Sequence, residues 1–436
     1  MQKTLHLSKI IVTNESDPIF NGGLVIENNL IKQVGKKEDF GDLKNTNCEA
    51  IDHGNSLICP GFINLHTHLA YSKIDKLDGT NGLFPWLKKL VNQTHLWTES
   101  DYKNSILYGI EQSLSTGTTF IVENTPSILS AQELLKSPLK GLVGLEVFGS
   151  DEEKSDEIFQ QLLEIEAIAG QDKSCPYIEL TFSPHAPYDV SKPLWKKIIA
   201  WDEKNNRPIL THLEESPSEK SWWQNKTGDA LNFWKHINKL EPKLKYWKKY
   251  NSGIDFLNKN NLITKNLLAT HLCQADKKDL ETLKKHNVKL VHCPRSNYYL
   301  NNGTANLKLW DELGLLWGIG TDSLAGNDSL DLLEELRFTL SQQKITYNHI
   351  IPVKKAFETI TLNGGRILSK NIGCLKQGFE ADFLIYDIKT KEEKLCQDPY
   401  NLIIVNVENK KDLKEVWING QKAWQRKKIL HTIETC

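Results

Sequence analysis

The sequence lacks any CxxC pair: its eight cysteines are scattered, which excludes a disulfide framework and a cysteine-based zinc knot. It also lacks an apolar run of about 18 residues, the length a membrane-crossing helix requires. The start, "MQKTLHLSKIIVTNES", has no basic segment followed by an apolar stretch and a cleavage-like site, so a cytoplasmic protein without a membrane partner is expected. Excess charge is absent too. With 54 Lys and Arg against 55 Asp and Glu, the net charge is −1, and neither nucleic acid nor an anionic surface is an expected partner. A small neutral or mixed-charge molecule suits such a chain better. No internal repeat and no low-complexity tract is visible.

What is present is an ordered alternation. The length of 436 residues accommodates one large domain and a smaller one. "GLVIENNLIKQVG" (23–35) predicts a hairpin turning at Asn28 and Asn29, and "EVWINGQKAW" (415–424) predicts another at Asn419-Gly420. Between these ends, short apolar runs alternate with amphipathic segments. "TESDYKNSILYGIEQSLSTG" (98–117) predicts a helix capped by Thr98 and Asp101 and stopped at Gly117. Eight apolar runs begin near 61, 118, 141, 177, 208, 267, 289 and 317. Eight strands separated by helices predict an α/β fold, a (β/α)8 TIM barrel, in which active groups stand at the carboxyl ends of strands.

Histidines gather at those ends. His66 and His68 follow the first run, His185 the fourth, His212 the fifth, His271 the sixth, His292 the seventh and Asp322 the eighth. Alternation along a strand sends His66 and His68 to the same side, where they could equally form a hydrogen-bonded pair. His66, His68, His212 and Asp322 make three imidazoles and one carboxylate, a suitable set for one divalent ion with room for a water. Zinc is the expected ion and ferrous iron the alternative. Glu215, three residues past His212, is a candidate general acid and base, weighed against an ordinary exposed glutamate. Glu214 is expected to point away. In the long segment 214–252, Trp222 and Trp223 could stack on a planar substrate, but anchoring the segment is the better reading.

The stretches "PGFINLHTHL", "SPHAPYDVS", "THLEES", "ATHLC", "HCPRSN", "GIGTDSLAGN" and "GCLKQGFEADFLIYD" resemble the amidohydrolase superfamily, in its branch of cytosine, guanine, adenosine-type and aminofutalosine deaminases and chlorotriazine hydrolases. The resemblance implies a single metal on His66, His68, His212 and Asp322, with Asp322 taking a proton from water, Glu215 as proton shuttle and His271 orienting the water. It implies His185 as a substrate contact, with Ser296 and Asn297 on a loop near the site. Trp86, Glu146 and Arg295 are further candidate substrate-binding residues, each with a competing structural role. The dinuclear branches carry a lysine after the fourth strand, and "YIELTFSPHAPY" has none.

Residues 57–370 would then be the barrel, and 1–56 with 371–436 a composite β-sandwich in which His6, His53 and His431 are ordinary histidines. The likeness is greatest to the aminofutalosine deaminase type. It implies hydrolytic deamination of an adenine-based nucleoside, 6-amino-6-deoxyfutalosine of menaquinone biosynthesis. The alternatives are a methylthioadenosine, S-adenosylhomocysteine or guanine-type deaminase, a triazine-type chlorohydrolase, or a metal-free scaffold. A homodimer is the family's implication.

Overall fold

The computed structural model describes residues 3–45, 48–169, 177–236, 249–389 and 398–426, so His431 and part of the tryptophan-rich segment, 237–248, lie outside the described residues. In chain order the strands are β1 (Lys3–Ile11), β2 (Ile19–Glu27), β3 (Leu30–Lys36), β4 (Cys48–Asp52), β5 (Ser56–Pro60) and β6 (Phe62–Thr67). There follow β7 (Thr118–Thr125), β8 (Lys140–Val147), β9 (Ile178–Pro184), β10 (Ile209–Leu213) and β11 (Leu267–His271). The last are β12 (Lys289–His292), β13 (Trp317–Ile319), β14 (Phe383–Asp387), β15 (Leu413–Ile418) and β16 (Gln421–Gln425). They divide between two compact units, Met1–Phe62 with Ser113–Thr119 and Asn371–Cys436, and Ile63–Gln112 with Phe120–Lys370.

In the first unit, both chain ends join one eight-stranded sheet, ordered β16-β15-β14-β5-β1-β2-β3 with β4 also paired to β1. Within it β1 branches, pairing with β4 over Lys3 to Leu7 and with β5 at Ile10 and Ile11, so the strands expected as a composite sandwich are joined through β1. Both expected hairpins form. Asn28 and Asn29 (φ 51° and 66°) and Asn419 and Gly420 (φ 52° and 71°) take the left-handed conformation that a two-residue turn matching strand twist demands. One face is packed by Ile11, Leu24, Ile26, Ile58, Phe383 and Trp417. His6 and His53 stack there with ring nitrogens 3.0 Å apart, a structural pair.

In the second unit, eight parallel strands alternate with helices, confirming the α/β pattern. They fall into two four-stranded sheets, β6-β7-β8-β9 and β10-β11-β12-β13, rather than one continuous ladder. At the two seams isolated main-chain bonds stand in place of a ladder. β13 has three residues, and beyond it the N–H groups of Thr321 and Asp322 donate to the His66 carbonyl at 3.1 and 2.9 Å. At the other seam, His212 N–H donates to the His185 carbonyl at 2.8 Å. The helix Glu99–Ser115 begins as expected, with Thr98 and Asp101 bonding reciprocally. Among the described residues no helix is long and apolar enough to cross a membrane.

Candidate active site

Three imidazoles and a carboxylate meet where β6, β10 and β13 end. His68 Nε2 lies 3.3 Å from His212 Nε2 and 3.6 Å from Asp322 Oδ1, and His66 Nε2 lies 3.8 Å from the same oxygen. Ligand atoms about 2.0–2.1 Å from a tetrahedral ion stand roughly 3.3 Å apart, so this spacing fits a shared cation. Two further observations support the fit. His66 Nε2 is buried with no hydrogen-bond partner, a costly arrangement unless something else satisfies it. His212 is oriented from behind, because its Nδ1 donates to the His185 carbonyl at 2.8 Å and leaves Nε2 a lone pair facing inward. His271 and Glu146 also come within reach, in the overlapping sets His66–His212–His271 and His68–Glu146–His212. The nitrogen and oxygen donors suit zinc or another borderline divalent ion.

Each member is held by a neighbour, and of these Asn124 and Glu123 carry no sequence signal of their own. The Asn124 amide lies 3.0 Å from His66 Nδ1 and 2.8 Å from Ser183 Oγ. Glu123, fully buried, accepts the Leu69 N–H at 3.0 Å and the Thr67 hydroxyl at 2.7 Å, fixing the loop that carries His68. Ser296 donates to Asp322 Oδ2 at 2.5 Å, and Asn297 accepts from His271 Nδ1 at 2.8 Å. Burial would push Asp322 up, yet the rings of His66, His68 and His271 and the Ser296 bond hold it down to about 2. Burial, reinforced by neighbouring rings, pushes His66 and His212 well below the usual imidazole range, as ligands require.

Glu215 sits beside this centre. Its carboxyl is buried, accepts a bond from Asn302 Nδ2 at 2.9 Å, and stands 3.8 Å from His271 Nε2. Burial, with the Asp322 charge adding, pushes it up to about 8 against the opposing pull of His185 and Asn302. Glu214 turns the other way, accepting the Gly253 N–H at 2.5 Å. Burial works against a charged His185, but the Asp189 carboxylate at 2.5 Å outweighs it, and the ring is pushed up to about 9.

These groups open into a cavity of about 740 Å³. His68, His185, His212, Glu215, His271, Asp322, Glu146 and Trp86 all line it. Arg295, Ser296 and Asn297, expected at the substrate, do not. Arg295 is turned aside by carboxylates, donating to Glu334 at 2.8 Å and Asp328 at 3.2 Å, while Ser296 and Asn297 act on Asp322 and His271 instead. His292 is buried against Trp310, away from the lining. Trp222 and Trp223 are fully buried and outside the lining, as anchors are. The same segment nevertheless reaches the cavity through Phe233 and Trp234, which pack on Phe84 and Tyr188. Helical spacing alone could not separate those two rings from core.

The family model for the amidohydrolase family matches residues 57–423. A 5-methylthioadenosine/S-adenosylhomocysteine deaminase of Thermococcus sibiricus is 28% identical over 388 residues, covering 86% of this chain and 84% of its own. The Helicobacter pylori aminofutalosine deaminase structure superposes with a TM-score of 0.79 at 24% identity, covering 97% of this chain and all of its own. An adenosine deaminase structure from Xanthomonas campestris with bound zinc gives 0.79 at 21%, covering 97% and 92%. The chain belongs to the amidohydrolase family.

Proposed function

From that membership, we propose that this enzyme, a hydrolase of C–N bonds in cyclic amidines, is a zinc-dependent deaminase of adenine-based nucleosides, with 6-amino-6-deoxyfutalosine as its first-choice substrate. His66, His68, His212 and Asp322 would hold the ion, which when bound supplies a Lewis acid and makes hydroxide available near pH 7. The two four-stranded sheets are read as arcs of a (β/α)8 barrel over 57–370, and 1–56 with 371–436 as the composite β domain. A cytoplasmic, homodimeric enzyme completes the reading.

The single observation that carries it is geometric: Glu215, buried 3.8 Å from His271 Nε2, lines the same cavity as His68, His212 and Asp322. Burial pushes its carboxyl up, toward the protonated form a general acid needs. Asp322 accepts a proton from the attacking water, and Glu215 gives one to the ring nitrogen next to the carbon attacked. The amino group then takes the proton held by Asp322 and leaves as ammonia, while the new hydroxyl gives its proton to Glu215, restoring it, and a carbonyl remains. His271, held by Asn297, orients the water, and the His185 cation faces acceptors on the substrate. Leu83, Phe84, Phe148, Phe233 and Trp234 form apolar walls beyond the reacting base, suited to a nucleoside with a large apolar substituent.

The Thermococcus relative favours a second reading, a nucleoside with a methylthio or homocysteinyl group in that apolar space. Ammonia release by the zinc-loaded enzyme from 6-amino-6-deoxyfutalosine, 5-methylthioadenosine, S-adenosylhomocysteine, adenosine, guanine and a chlorotriazine separates the two. The highest kcat/KM is expected on 6-amino-6-deoxyfutalosine. Preference for either thio-nucleoside selects the second reading, and turnover of guanine or the triazine alone removes both.

A further inference from the structure

Between β10 and the helix Pro217–Asn225 the chain reverses within a few residues, and Glu214 takes a left-handed conformation there with φ 49°. A residue with a Cβ resists that conformation, so the turn must be held. Part of the hold comes from the neighbouring strand end, where Leu272 and Gln274 donate their N–H groups to the carbonyls of Leu213 and Glu214 at 3.0 and 2.9 Å. The N–H groups of Glu214 and Glu215 point elsewhere. Both go to Glu219, one to each carboxylate oxygen, at 3.2 and 2.8 Å.

Glu219 lies three residues past Ser216, whose hydroxyl caps the helix by accepting the Glu219 N–H at 3.2 Å. In an ordinary capping box the glutamate at this position reaches back to the cap residue's own N–H. Here it reaches further, to the two residues before the cap. It is fully buried, so water does not compete for its oxygens. The outcome of the turn is a sorting of two adjacent glutamates: Glu214 is fixed on Gly253, and Glu215 faces the cavity beside His271.

We propose that Glu219 is a positioning residue, whose two oxygens clamp consecutive main-chain N–H groups and so aim Glu215 at the reacting ring. The proposal rests on Glu215 being the proton carrier. Gln in place of Glu219 keeps the size but offers one acceptor oxygen, and its NH2 group would face the second N–H. Because a misplacement of about 1 Å can cost on the order of 100-fold in rate, Glu219→Gln is expected to lower kcat about 10- to 100-fold. KM should stay within about twofold and bound zinc unchanged, as for loss of a transition-state interaction alone.

Hydrogen exchange read by mass spectrometry supplies a measure independent of turnover. Exchange in the peptide containing Glu214 and Glu215 should accelerate in Glu219→Gln, with the rest of the chain unaltered. Unchanged exchange, unchanged kcat, or a loss of activity matched by loss of zinc overturns the clamp. If Glu219→Gln does not fold, Glu219→Asp, which keeps both oxygens on a shorter arm, is put through the same measurements. Should the wild-type enzyme deaminate no adenine nucleoside, the functional reading fails, and exchange alone decides the clamp.

Discussion

The two units handle the same backbone problem differently. In the sheet unit, every described non-glycine residue in the left-handed region is an asparagine: Asn14, Asn21, Asn28, Asn29 and Asn419. Asparagine tolerates that region because its short amide bonds locally, so those turns cost little. The parallel-strand unit also uses asparagines in this way, at Asn206, Asn261, Asn287, Asn301 and Asn348, and adds Lys226 and Ser369 at helix ends; in addition Glu214, His271, Leu272 and Asp322 occupy the same region, all at the ends of β10, β11 and β13. Asp322 is helped by a local bond, its Oδ1 accepting the Ser323 N–H at 2.7 Å, whereas Glu214 and Leu272 have no such preference and cost about 1–2 kcal/mol each. They persist because surrounding bonds over-determine them, and the residues so placed include Asp322, which lines the cavity, and Glu214, next to Glu215. Strain concentrated in this way marks the second unit as the place where stability is exchanged for geometry.

The sharpest break of that comparison comes from removing a ligand. His66→Ala should abolish zinc binding and turnover together while the sheet unit stays folded, checked by elemental analysis and circular dichroism. Chelation should do the same reversibly and lower Tm, since a ligand of the folded state stabilises it. Next in size is Glu215→Gln, expected to reduce kcat by about 10²- to 10⁴-fold with zinc retained. Undiminished turnover would remove Glu215 from the chemistry.

A smaller effect is expected from pH. Burial pushes Glu123 and Glu335 up to about 8, despite the hydrogen bonds and, for Glu335, the Arg295 charge that oppose it. The folded state then binds more protons than the unfolded one between the ordinary carboxyl range and pH 8. Stability from these groups is present in acid and lost as pH rises through 8, and Glu335→Gln should flatten that limb in urea titrations. His6 works in the opposite sense in the sheet unit. Burial, aided by His53 and Lys422, holds it down to about 3, so its stabilisation is present above 6.5 and lost as pH falls toward 3. The metal-free site histidines add to that acid limb. The smallest effect belongs to the turns: Asn28→Ala, which gives up the left-handed preference, should cost about 1 kcal/mol with kcat and KM unchanged, read by urea titration.

Legibility followed the same division. The hairpins at Asn28-Asn29 and Asn419-Gly420 could be read directly, because a two-residue turn selects its residues by φ alone. The eight apolar runs announced their strands, and histidines at their ends announced where groups converge. Arg295 misled because a cation after a strand end looks the same whether it meets a substrate or the carboxylates of Glu334 and Asp328. Glu123, Asn124, Asn302 and Glu219 gave no warning. Each acts through bonds to partners that only the folded chain brings near, and nothing in its neighbours along the chain distinguishes it from an exposed polar residue.

Alone, the sequence determined which segments become strands, where they turn, and which side chains stand at their carboxyl ends, since all of these depend on residues within a few positions of one another. Only the tertiary structure decided that His66, His68, His212 and Asp322 share one point, that Arg295 meets Glu334 and Asp328 rather than the cavity, and that β1 joins β4 and β5 in one sheet. Those outcomes depend on bonds between residues up to hundreds of positions apart, such as the one from Asp322 N–H to the His66 carbonyl. Strand period and turn preference are short-range quantities, and they carry no record of which distant partner will satisfy a buried polar group.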